Sequence, residues 1–169
     1  IKNIELTVIT SAPGKDFCIR NGLKAEYIIT TKEKIFNNVI YTYIRRIIYA
    51  VKKINKIKSA DIVYSTSDAL PDVLPAFLLS KKINKPLIGN IFHLIPFSRP
   101  ISFITQKLSL ALFKIKNAVC FVDNENLMKD LTLNGFNKKN LILRYPGINY
   151  SFIQKWSEII SFMVSSKKK

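Results

Sequence analysis

His93 is the single histidine of the chain, and imidazole is the one side chain whose ordinary pKa lies near neutrality. It can serve as a functional group where an α/β sheet presents such groups, or it can pack in a turn against Phe92 and Pro96. Ser65-Thr66-Ser67-Asp68 sets three hydroxyls and a carboxylate in a row. Such a run donates to and accepts from a hydroxyl-rich ligand, and it equally suits the turn that begins a helix. Other chemistries are excluded. A serine hydrolase would need a Gly-x-Ser-x-Gly elbow, which is absent. One histidine without nearby paired carboxylates offers too few ligands for a metal, so no metal is expected. Only five glycines occur, Gly14-Lys15 stands alone, and no dinucleotide or Walker-type phosphate loop is present. Cys18 and Cys120 lie in apolar contexts and read as reduced, buried thiols of an intracellular protein.

The elements that would position these groups alternate. Ile4 to Thr10, Ala25 to Thr30, Asp61 to Tyr64, Pro86 to Phe92, Ala118 to Val122 and Leu141 to Tyr145 are short apolar runs with turn residues at their ends, the pattern of buried strands. Between the first two lies room for a short helix or turn. From Ile35 to Ile57, the residues Phe36, Ile40, Tyr43, Ile47, Val51 and Ile54 recur at helical spacing, with Asn38, Thr42, Arg45, Arg46, Lys52, Lys53 and Lys56 on the other face. A second helix begins near Pro71 and runs to about Lys82. A third, Ile101 to Asn117, is patterned by Ile104, Leu108, Ala111, Leu112 and Ile115. A fourth is capped by Asp123 or Asn124 and terminated by Gly135. Strands alternating with helices predict a doubly wound α/β domain with a mostly parallel sheet. In such domains ligands bind beyond the carboxyl ends of the strands, which selects Ser11 to Lys15, Ser65 to Asp72, His93 to Arg99 and Asp123 to Asn126.

With 169 residues, 48% hydrophobic and 22% charged, the chain has the composition of one globular domain. Its 27 basic residues against 11 acidic ones give a net charge of +16, which calls for a polyanionic neighbour. Six bases fall between Arg45 and Lys58, no acid lies between Glu33 and Asp61, and Val73 to Val122 is free of acids. These faces suit anionic lipid, or they are the solvated side of core-packed helices. Nucleic acid is the less favoured polyanion, since no recognised binding motif accompanies the charge. No uncharged apolar run reaches the roughly 18–20 residues of a spanning helix.

Several stretches resemble the N-terminal half of glycosyltransferase family 4, enzymes of the GT-B fold. They are Asp61 to Phe77 (DIVYSTSDALPDVLPAF), Gly89 to Pro96 (GNIFHLIP) and Ala118 to Asn149, which ends in Tyr145-Pro146-Gly147-Ile148-Asn149 where the family closes with Pro-Asn-Gly-Val-Asp. The resemblance covers about Ile4 to Asn149. It implies a Rossmann-like acceptor-side domain of an enzyme that transfers a sugar from a nucleotide-sugar donor to a lipid-linked or glycan acceptor, without a metal or other cofactor. It gives His93 the role of the histidine beside the donor's sugar and phosphate. Ser65, Thr66, Ser67 and Asp68 would line the acceptor side, with Asp123, Asn124 and Gly147 nearby in the cleft. The family's donor site uses two glutamates separated by seven residues, and no pair among Glu5, Glu26, Glu33, Glu125 and Glu158 has that spacing. The family's first strand would precede Ile4 and lie centrally, between the strands near Ile4 and Asp61; residues are therefore expected before Ile1.

The resulting expectation is a Rossmann-like domain over residues 1–149, followed over 150–169 by an amphipathic helix or linker carrying Phe152, Trp156 and Met163. The chain would be inactive alone, with its donor held by a separate C-terminal domain and its basic faces on the inner, cytoplasmic side of an anionic membrane. The alternative is a non-catalytic binding module, or a subunit that pairs with a separate donor-domain chain.

Overall fold

Residues 4–31 and 38–144 are described by the computed structural model. Six strands alternate with five α-helices: β1 (Thr7–Thr10), α1 (Ala12–Arg20), β2 (Glu26–Ile29), α2 (Val39–Ile54), β3 (Val63–Ser65), α3 (Leu70–Lys82), β4 (Leu87–Ile91), α4 (Pro100–Lys116), β5 (Val119–Val122), α5 (Glu125–Leu133) and β6 (Leu141–Leu143). Every described strand pair is parallel. The fold is α/β and Rossmann-like, as the alternation predicts. The start of the first strand, read at Ile4, falls instead at Thr7. The readings at Ile35, Phe36, Gly147 and 150–169 lie outside the described residues.

The strands form two sheets, β1-β2 and β3-β4-β5-β6. Among the described residues β1 and β3 do not pair with each other. In the larger sheet β4 lies between β3 and β5 and is buried at all five positions, as befits a parallel strand covered on both faces. Leu87 and Ile91 of β4, with Cys120 and Val122 of β5, join Val73 and Phe77 of α3, Leu110 and Phe113 of α4, and Leu127 and Leu131 of α5 in one apolar cluster. Cys120 is buried as predicted, and burial pushes its thiol up to about 12; Cys18, expected to be buried, is half-buried.

Local signals explain the helix ends. Asn124 rather than Asp123 caps α5, its side chain accepting from Leu127 N at 2.8 Å, and Gly135 follows that helix with φ +84, where glycine avoids the Cβ penalty. Asn38 caps α2 by accepting from Tyr41 N at 3.1 Å. α3 begins after Ala69, which has no side chain to cap with; Ser67 Oγ accepts from Ala69 N at 3.1 Å and donates to Asp72 in the first turn. Gly89 of β4 passes so close to Phe113 that an added Cβ would lie 2.4 Å from the ring.

Two helices differ from their reading. In α2, Ile54 is buried and Tyr43, Ile47 and Val51 are half-buried, but Ile40 is exposed, and Thr42, assigned to the polar face, is buried with its hydroxyl donating to Asn38 O at 2.9 Å. In α4 Ile104, Leu108 and Ile115 of the predicted stripe are exposed, as is Ile101, and Ala111 and Leu112 are half-buried, Leu112 against the core, while Gln106, Ser109, Leu110 and Phe113 are buried. The helix has two apolar faces, and hydrophobic spacing alone cannot choose between them. The face carrying Phe113 fills the space left by Gly89, and its polar residues find partners inside: Ser109 donates to Thr105 O at 3.1 Å, and Gln106 reaches the strand ends.

Candidate functional site

The carboxyl ends of β3 and β4 bring together the loop 65–68 and His93, two of the regions selected from the sequence. His93 is exposed two residues beyond β4. Its carbonyl accepts from Gln106 Nε2 at 2.6 Å, and the same nitrogen donates to Asp68 Oδ2 at 2.6 Å. Gln106 Oε1 accepts from Ile95 N at 2.8 Å. One buried amide, 4% exposed, therefore ties the backbone on both sides of Leu94 to the loop after β3. Sequence reasoning missed Gln106; the signal available was its spacing of four and seven residues from Leu110 and Phe113, which places it on their face.

Asp68 is half-buried, and burial raises its carboxyl above the ordinary 3.8. The Gln106 bond, a bond from its own backbone N–H and the charge of His93 all oppose that rise, while Asp72 adds to it. His93 and Asp68 thus sense each other electrostatically at the edge of the sheet. The imidazole is free to reach solvent, and the carboxylate is fixed.

The remaining loop residues are tied into the scaffold. Ser65 Oγ donates to Ser67 O at 2.8 Å. Ser67 Oγ donates to Asp72 Oδ2 at 2.6 Å and accepts from Ala69 N at 3.1 Å. Asp72, in the first turn of α3, also accepts from Arg46 of α2 at 3.0 Å. The Ser65 and Ser67 hydroxyls are therefore engaged in building the entry to α3. Thr66 is exposed, and its carbonyl accepts from Asn90 Nδ2 at 3.1 Å. Asn90, 5% exposed, also donates to the Tyr64 hydroxyl, and its Oδ1 is buried without a hydrogen-bond partner. Burial raises the Tyr64 phenol, against the bond from Asn90 and the charge of Arg144 just beyond β6. At β5, Asp123 is half-buried and Asn124 is committed to capping α5. Gly147 lies outside the described residues.

Two open concavities lie elsewhere. A shallow groove of about 300 Å³ runs along α2 beside Tyr41, Arg45, Ile48, Tyr49 and Lys52. A wider one of about 630 Å³ is lined by residues of β1, β2 and 53–59, including Lys53, Lys56 and Lys58. Neither is lined by His93 or Asp68. Among the described residues no group of three or more His, Cys, Asp or Glu could hold a metal, and no helix is long and apolar enough to cross a membrane.

No family model, no curated protein and no solved structure matches the chain.

Proposed function

We propose that this chain is the acceptor-side, N-terminal portion of a GT-B glycosyltransferase similar to family 4. The enzyme would move a sugar from a nucleotide-sugar donor to a lipid-linked or glycan acceptor at the cytoplasmic face of an anionic membrane. The observation that carries the reading is the linkage of His93 and Asp68 through Gln106 at the carboxyl edge of a parallel sheet, where such folds bind ligands. His93 would donate to the donor's phosphate or steady the charge that develops on it. Thr66 and Asp68, with Ser65 and Ser67 shaping the loop, would meet the acceptor, and Asp123 and Asn124 would lie at the cleft's margin. The paired glutamates of a donor site are not among these 169 residues, so the donor would be held by residues outside them. Transfer by the chain alone is not expected.

The test is reconstitution. The chain is combined with a donor-domain chain carrying the paired glutamates. Transfer of labelled hexose from a panel of nucleotide sugars to lipid extract should exceed that of either chain alone. Transfer absent from the pair across the panel would give the lead to the non-catalytic binding module.

A further inference from the structure

The outward face of α4 is the least expected surface of the molecule. Ile101, Ile104, Leu108 and Ile115 are 47%, 57%, 51% and 68% exposed. At 3.6 residues per turn they fall within an arc of about 60°. Phe97, three residues before the helix, is 76% exposed and stands edge-on to Phe103, ring centroids 5.5 Å apart. The ridge is therefore continuous from the segment after His93 to the last turn of α4. Monomeric proteins rarely leave so ordered a row of large apolar side chains in water.

The charges beside the ridge identify its partner. Arg99, Lys107 and Lys114 are exposed, Lys107 and Lys114 fall along one flank of the stripe by the same helical spacing, and no acidic residue occurs from Val73 to Val122. Lys107 stands over the Phe103 ring at 5.4 Å, and Lys114 Nζ donates to Asn134 O at 3.2 Å and stands 5.9 Å from the Phe136 ring. Among the described residues no carboxylate pairs with either lysine. An apolar ridge with cations along one flank and no acid in its stretch of chain matches the interface of an anionic bilayer, where apolar side chains enter the acyl boundary and lysines extend to the headgroups. A second copy of the same surface would instead bring like charges together.

We infer that the outer face of α4, with Phe97, docks the protein onto an anionic phospholipid surface. The inner face of the same helix holds Asp68 and His93 O through Gln106, so docking sets the candidate site at the membrane interface. This deepens the reading above, and rests on it only for the consequence that the acceptor is presented by lipid.

Co-sedimentation of the 169-residue chain with vesicles tests the docking. Binding to an equal mixture of phosphatidylcholine and phosphatidylglycerol should be strong and weakened by salt, and binding to phosphatidylcholine alone should be weak. Ile104→Ser and Leu108→Ser should each weaken binding to the mixed vesicles roughly tenfold. Lys107→Gln with Lys114→Gln should reduce both the affinity and its salt dependence. Ile104, Lys107 and Leu108 are exposed, so urea midpoints of the variants at these positions should stay near that of the parent chain. Loss of the Lys114 bond to Asn134 O should lower the midpoint of the double lysine variant only slightly. Ile44→Ser and Ile48→Ser on α2, also exposed, should leave binding intact. The inference is overturned by mixed-vesicle binding that survives the α4 substitutions or is lost through α2, by no preference for phosphatidylglycerol, or by self-association that the α4 substitutions abolish. Vesicle binding requires no sugar transfer. Failure to dock removes the membrane location and leaves the sugar-transfer reading standing, and failure of the reconstituted pair leaves the docking face standing.

Discussion

Gln106 Nε2 lies 2.6 Å from Asp68 Oδ2, joining the buried side of α4 to the loop that follows β3. The two residues are separated by 38 positions in sequence, so the bond fixes the tertiary placement of the candidate site rather than a local turn. The same amide holds His93 O and Ile95 N. Replacement by leucine keeps the approximate volume and removes the bonds to half-buried Asp68, to His93 O and to half-buried Ile95 N. Gln106→Leu should cost about 1–3 kcal/mol, read as a lower urea midpoint with an unchanged slope. An unaltered midpoint would show that the amide does not hold the site.

Asp68 gives stability a pH dependence of known sign. Its carboxyl titrates above 3.8 in the folded chain, chiefly through burial, so the folded state holds this proton more tightly than the unfolded state. The contribution favouring the fold is fully present below the unfolded value and is lost as pH rises through the folded one. Asp68→Asn can accept the same bond and never ionises. It should match the parent chain in acid and be the more stable near neutral pH, as measured by urea unfolding at both pH values. A greater advantage in acid than near neutrality would reverse the assigned sign.

Gly89 is dictated by Phe113. An alanine Cβ would meet the ring at 2.4 Å, and Phe113 is fully buried with nowhere to retreat. Gly89→Ala should destabilise by about 1–3 kcal/mol through overpacking. Adding Phe113→Leu should recover part of that loss, a non-additivity expected only of side chains in contact. Strictly additive losses in thermal unfolding would place the two apart.

The hydroxyl of Ser67 and the guanidinium of Arg46 both reach Asp72, yet they should not matter equally. Ser67 also accepts from Ala69 N and so supplies the cap that α3 otherwise lacks. The Arg46–Asp72 pair has side chains 47% and 28% exposed. Ser67→Ala should cost about 1 kcal/mol, and Arg46→Ala under about 1 kcal/mol with the difference shrinking in salt. Equal, salt-independent losses would contradict this ordering.

Much of the fold is legible in the sequence because its signals are local. The runs at Pro86 to Phe92 and Ala118 to Val122 bracket β4 and β5, Asn124 caps α5, and Gly135 takes the left-handed turn. The orientation of α4 is not legible, because two apolar stripes compete on one helix and tertiary packing against Gly89 and the strand ends decides between them. The candidate site shows the same division. His93 and the Ser65 to Asp68 loop stand out by residue type and by their place after strands. Gln106 and Asn90 look like ordinary polar residues until the fold buries them beside partners 11 to 38 positions away.

His93 is the residue on which the proposed transfer depends. In a reconstituted pair with a donor-domain chain, initial rates of hexose transfer should be measured for the parent chain and for His93→Ala, with complex formation checked in parallel. A loss of about a hundredfold in rate is expected while the two chains still associate. Transfer that is unchanged in the substituted complex would remove His93 from the chemistry and overturn the proposed role of this site.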